Sequence, residues 1–288
     1  MRATRRFSSV RMLTGLGLVA GLGALAIAGA AAAPSGPAAA LRLRPDNWPG
    51  YHHKIAIQGR GSRNRASTVG WASSNWSGYA VTTSASLPFT AITGHWSVPA
   101  VAATRSATYS AAWAGIDGFS NSALIQTGTE QDYYNHAAHY AAWWTTSAQG
   151  YAEQPISEPV APGDAMTATI TDSGGLWTIT LADTTANWSF STQVAYTGPG
   201  TSAEWITEAP TVGTKIEPLA HYGSPLTFDP GTVSINGGAA DTPNLVTSDG
   251  GEMIQQNRIV SIPSVPVIGE KDGFNMAYGS TAPAAPTS

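Results

Sequence analysis

The sequence contains no cysteine, which excludes disulfides, thiolate catalysis and cysteine-ligated metal centres. Charge is scarce, at 11% of the 288 residues. Cations are scarcer still beyond residue 68, where only Arg105, Lys215, Arg258 and Lys271 stand against seventeen acids, a local net charge of −13. So acidic a stretch is a poor partner for nucleic acid or an anionic membrane. No P-loop, GxGxxG or GxSxG segment is present, so nucleotide chemistry and nucleophile-elbow chemistry have no support, and no cofactor is expected. After the first 33 residues no run is apolar enough to span a bilayer.

The missing cations are concentrated at the start. Residues 1–68 hold ten of the fourteen bases and one acid, Asp46, a net +9. Residues 1–33 read as a secretory signal: Arg2, Arg5, Arg6 and Arg11 precede an apolar stretch at 12–28 and the small residues Ala30, Ala31, Ala32 and Ala33. The protein is therefore expected to be secreted, extracellular, monomeric, and free of stable membrane association after processing. Residues 34–70, rich in Pro, Ala, Gly and Arg, read as a basic propeptide or linker. Its charge predicts that the stretch 41–65 lies across the acidic domain at neutral pH as an inhibitor, loosened by salt and by acid. The last residues, 280–288, are Pro, Ala, Ser and Thr only and are expected to be a disordered tail.

From residue 71 to 279 the pattern is β throughout. Thr167-Ala168-Thr169-Ile170 and Leu176-Trp177-Thr178-Ile179-Thr180-Leu181 alternate in polarity around the turn Asp172-Ser173-Gly174-Gly175, and a third run follows at 188–195. No window carries a sustained helical period with caps. Many short strands separated by Gly, Pro, Ser and Asn turns predict an antiparallel β-sandwich. His136 and His139 have an i, i+3 spacing that suits two ligands on a helix, but their surroundings read as loop and strand. Exposed loop histidines and no metal site are expected.

Three ordered motifs carry chemistry. They are Asn75-Trp76-Ser77-Gly78; Trp113-Ala114-Gly115-Ile116-Asp117-Gly118 with Leu124-Ile125-Gln126-Thr127-Gly128; and Ser202-Ala203-Glu204-Trp205-Ile206. Amide hydrolysis needs a base for water and a donor for the developing oxyanion. Two carboxylates do this by sharing a proton, at the cost of coupled titration. A Gln beside a Glu acts instead as a permanently protonated partner that neither titrates nor repels. The Glu then stays ionised to lower pH, which suits work in acid.

These motifs resemble the glutamic peptidases, or eqolisins, in a bacterial-type form. The resemblance implies two large antiparallel sheets packed face to face (a jelly-roll or concanavalin-like sandwich) with a concave substrate groove. It implies a metal-free, pepstatin-insensitive acid endopeptidase made as a zymogen, acting on polypeptides and held by its own propeptide. Glu204 would be the general base and later the proton donor, and Gln126 would hold the tetrahedral intermediate. Trp76, Trp113, Asp117 and Trp143 fall where the family lines its cleft, although Asp117 in Ile-Asp-Gly also reads as a plain turn. One position departs from the pattern: Tyr140-Ala141-Ala142-Trp143-Trp144-Thr145 puts Thr145 where the family carries an acid. Two other functions stay open, a glycoside hydrolase recruiting a second carboxylate such as Glu130, and a non-catalytic peptide- or glycan-binding sandwich.

Overall fold

The computed structural model describes residues 50–54, 69–267 and 272–287. The secretory signal and most of the expected propeptide lie outside them. The strands of the first half are β1 (Tyr51–His52), β2 (Trp71–Ser73), β3 (Trp76–Thr82), β4 (Phe89–Ser97), β5 (Ala111–Ile116), β6 (Ile125–Tyr134), β7 (Ala137–Thr146) and β8 (Gln154–Ile156). Then come β9 (Ala165–Ser173), β10 (Leu176–Asp183), β11 (Trp188–Ala195), β12 (Ser202–Glu208), β13 (Thr211–Val212) and β14 (Lys215–Ile216). The last are β15 (Leu226–Asp229), β16 (Val233–Ile235), β17 (Gly250–Gln255), β18 (Arg258–Pro263) and β19 (Phe274–Tyr278). Helix is confined to two three-residue 3-10 turns among the described residues.

One hydrogen-bonded path runs β8-β7-β6-β5-β12-β3-β17 and continues through β18 and β19 to β15, β4, β9, β10 and β11. It folds over so that β4 and β9 lie on β5, β6 and β12, which gives the two packed leaves expected of a sandwich. Strand pairs are antiparallel apart from β2 with β17. The hairpin read from sequence is β9–β10, with Leu176 opposite Ser173. Gly174 and Gly175 both take positive φ (69° and 90°), the conformation a two-residue hairpin turn demands.

Alternation sorts the side chains. Ala168, Ile170, Ile179, Leu181, Ala112, Ala114, Ile116, Ile125 and Trp205 meet in the main core. Trp205 reaches across the leaves, its indole N–H donating to the Thr93 carbonyl of β4 (2.7 Å). Burying one Trp stabilises by about 4–6 kcal/mol before the entropy of ordering it is subtracted. The other face of β5, β6 and β12 carries a second apolar cluster of Trp76, Ala111, Trp113, Trp143 and Ile206. That face is the floor of the site.

Two local expectations are corrected. His139 sits on β7 rather than in a loop, its ring stacked on Tyr134 at 3.8 Å, while His136 is exposed in the turn before it. Residues 280–287 are not a free tail throughout, because Asn275 donates its side-chain N–H to the Ala284 carbonyl (2.9 Å).

Candidate active site

Strand register builds the site in rows. In the first, Ala80, Glu204, Gly115, Gln126 and Thr145 are consecutive partners across β3, β12, β5, β6 and β7. The second is Gly78, Ile206, Trp113, Gly128 and Trp143, and the third Trp76, Glu208, Ala111, Glu130 and Ala141. Residues two apart on a strand share a face, so all three rows look the same way. Gln126 and Glu204 flank Gly115, with backbones two strand spacings apart, roughly 10 Å.

Gly115 is what lets them face each other. A Cβ there would lie 2.5 Å from Gln126 Cγ and 3.1 Å from Trp113 Cζ3. Neither Gln126 nor Glu204 is exposed. Both Gln126 side-chain atoms and both Glu204 carboxyl oxygens lack a hydrogen-bond partner among the described residues, as do the indole nitrogens of Trp76 and Trp143. Buried polar groups are normally paired, and leaving one unpaired costs about 1–3 kcal/mol. Such a concentration on one face marks the place where a polar ligand belongs.

Burial pushes the Glu204 carboxyl well above the usual carboxylate range. The nearby Ser202 hydroxyl, not in hydrogen-bonding geometry, offsets this in part, and the Asp117 charge adds to it. The Gln neighbour spares Glu204 a like charge, but in this covered state burial outweighs that benefit. Glu204 therefore favours its protonated form, contrary to the expectation that it stays ionised far into acid.

The remaining predicted residues divide. Trp76 and Trp113 meet edge to face at 4.7 Å and, with Trp143, pave the floor. Asp117 takes φ 65°, and its carboxylate accepts from Tyr196 Oη (2.7 Å), Gly200 N, Thr201 N and Asn121 Nδ2 (each 2.8 Å). Its lone pairs are thus committed to tying the 117–121 turn to the 196–201 segment, which is the turn reading rather than the substrate one. Thr145 is buried beside Gln126, and its hydroxyl donates to the Ala152 carbonyl (2.9 Å).

The sequence reading did not assemble the acidic end of this face. Glu130 and Glu208 lie four residues beyond Gln126 and Glu204, a spacing that places them on the same face and was the available signal. With Asp132 and Glu153 they are buried. Into them projects His53, fully buried, its Nδ1 on Glu208 Oε2 (2.9 Å), its Nε2 on Glu153 Oε1 (2.7 Å) and 3.7 Å from Glu130 Oε1. The ring stacks on Trp143 at 3.9 Å. Burial alone lowers the imidazole, but Glu208 and then Glu153 overcome it and raise His53 to about 9. Burial lifts Glu130 well above its ordinary value, helped by the Glu153 and Asp132 charges. Burial likewise lifts Asp132 to about 8, against donors from Tyr51 and the Ser110 backbone. Ligand atoms of His53, Glu130 and Glu153 converge within 4.8 Å, close enough to surround a cation. The doubly bonded imidazolium already supplies that positive charge.

The sequence profile of the Peptidase A4 family matches residues 74–263. A crystal structure of scytalido-glutamic peptidase with a transition-state analog inhibitor superposes with a TM-score of 0.57 at 23% identity, covering 71% of this chain and 98% of that one. SCP-B, an eqolisin solved with the tripeptide Ala-Ile-His, superposes with a TM-score of 0.53 at 24% identity over the same shares. No curated protein sequence matches the chain. At these identities the structures speak for the fold, and the family profile speaks for the chemistry. The chain belongs to the Peptidase A4 family, the glutamic peptidases or eqolisins, and is a peptidase.

Proposed function

We propose that the protein is a secreted acid endopeptidase that cleaves polypeptides with Glu204 and Gln126. The observation that carries this is their pairing across Gly115, buried and unpartnered on a tryptophan-lined face. Ionised Glu204 takes a proton from water, and the water oxygen bonds to the scissile carbonyl carbon. The carbonyl oxygen becomes an oxyanion, to which the Gln126 amide N–H donates. As the C–N bond breaks, Glu204 returns its proton to the leaving nitrogen. Because burial is the main cause of the raised Glu204, hydration of the opened groove lowers it toward the ordinary carboxylate range and makes it a working base.

The glycosidase alternative finds no second carboxylate at a suitable separation on the strand of Glu204. Glu208 lies roughly 13 Å along it, beyond the spacing of either glycosidase class. The signal-like residues 1–33 support secretion, and a reaction centred on Glu204 and Gln126 rather than on two aspartates supports pepstatin insensitivity. The test is casein digestion at about pH 3, with EDTA and with pepstatin. Cleavage surviving both inhibitors is expected, and loss of activity in EDTA would refute the metal-free mechanism.

A further inference from the structure

Residues 50–54 precede the family-matched region, which begins at 74, yet they are built into the domain. Tyr51 and His52 pair with Val212 and Thr211 of β13, and His52 bridges to Ala152. Glu153 N donates to the Tyr51 carbonyl, and Asn75 Nδ2 donates to that of Lys54 (3.0 Å). Alternation sends Tyr51 and His53 inward, 2% and 0% exposed, while His52 and Lys54 stay outside. The Tyr51 hydroxyl bonds to Asp132, and His53 makes the two carboxylate contacts already described.

A chain of contacts runs from there to the reacting pair. Glu208 Oε2 accepts from both His53 Nδ1 and Trp113 Nε1 (2.9 Å each), and Glu208 Oε1 accepts from Asn75 Nδ2. The Trp113 ring in turn lies against Gly115, between Gln126 and Glu204. We propose that residues 51–54 are a permanent strand of the working enzyme, and that His53 is a positioning residue which, through Glu208, fixes Trp113 against the Gln126–Glu204 pair. The proposal rests on the peptidase mechanism above for the second half only.

The titration of the surrounding groups favours retention in acid. Those facing His53 are Glu208 from β12, Glu130 and Asp132 from β6, Glu153 ahead of β8, and Tyr51 on its own strand, with Tyr109 and Tyr134 beyond it. Docking raises His53, so its contribution is complete below the free imidazole value of about 6.5 and fades as pH climbs through about 9. The strand is thus held in acid and loosened in alkali, opposite to the behaviour expected of a charge-latched propeptide. Being buried, it also escapes the salt screening that governs exposed charges.

The full-length protein is incubated at pH 3 until self-processing stops, then weighed by mass spectrometry under native and denaturing conditions. Residues 51–54 are expected to remain, either in the main chain or as a peptide released only by denaturation. In parallel, His53→Gln is expected to lower kcat tenfold to about a hundredfold with little change in KM. Fully active enzyme lacking 51–54 would overturn the proposal, as would folded His53→Gln with wild-type kcat, or with a loss confined to KM. Inhibition of the processed enzyme by an added 50–54 peptide would also overturn it, since that is the removable-propeptide outcome. Should His53→Gln fail to fold, Tyr51→Phe removes only the hydroxyl on Asp132, and the wild-type masses still decide retention. Inactive wild-type protein would sink the peptidase mechanism, and retention would then be read after limited digestion with an added acid protease, where loss of residues 51–54 from the folded domain would overturn the permanent strand.

Discussion

Gln126 and Glu204 occupy the same row of three adjacent strands with only Gly115 between them. A Cβ at that position would press on Gln126 Cγ at 2.5 Å and crowd the Ile125 carbonyl at 3.0 Å. Gly115→Ala is therefore expected to displace the Gln126 side chain. Overpacking of this kind costs about 1–3 kcal/mol, and turnover should fall more than stability does. Thermal melting and kcat measured together check this; wild-type kcat would show that the close approach has no bearing on the chemistry.

Substitutions at Gln126 separate its two properties. Gln126→Ala removes the oxyanion donor and should cost about a hundredfold to a thousandfold in kcat. Gln126→Glu restores a donor that works only while protonated. Its activity should therefore disappear as that carboxyl ionises, bringing the alkaline limb of the pH profile to lower pH than in the wild type. An unchanged limb in an active Gln126→Glu enzyme would argue against a donor role.

How far this site was legible in the sequence depends on distance along the chain. The β-class, the β9–β10 hairpin and the three motifs follow from local pattern, because period-2 alternation and Gly-rich turns are short-range signals. The facing of Gln126 and Glu204 is a matter of register between strands 78 residues apart, and only the family motifs pointed to it. Composition and charge place His53 in a basic propeptide or linker. Its burial comes from carboxylates on β6 and β12 and ahead of β8, which no local pattern joins. Asp117 shows the reverse case: Ile-Asp-Gly reads as a turn, and the four donors around the carboxylate bear that out.

Asp117→Ala should accordingly behave as a scaffold mutation. Four donors lose their acceptor, two of them backbone N–H groups, and the turn beside the pair loosens. A stability loss of about 2–4 kcal/mol is expected, read as a lower denaturation midpoint. A rise in KM with unchanged stability would return Asp117 to substrate binding.

Stability should be greatest in acid. Glu204, Glu130, Asp132, Asp164 and Asp249 are all raised, in each case chiefly by burial. Each folded carboxyl holds its proton to higher pH than the unfolded one. Its contribution is present below the ordinary carboxylate range of about 4 and declines as pH rises through the raised value, which for Asp132 is about 8. His53 acts in the same direction between about 6.5 and about 9. Melting temperature should peak near pH 3–4 and fall steadily to about pH 8; a melting temperature that climbs over that range would contradict the burial account.

The most direct test of the Glu–Gln mechanism is the turnover of Glu204→Gln on casein at about pH 3, with folding verified by near-ultraviolet circular dichroism. The variant keeps the shape of the row and loses only the group that can take and return a proton. The mechanism predicts a loss of several orders of magnitude in kcat with the fold intact. A folded Glu204→Gln enzyme that retains wild-type turnover would contradict it.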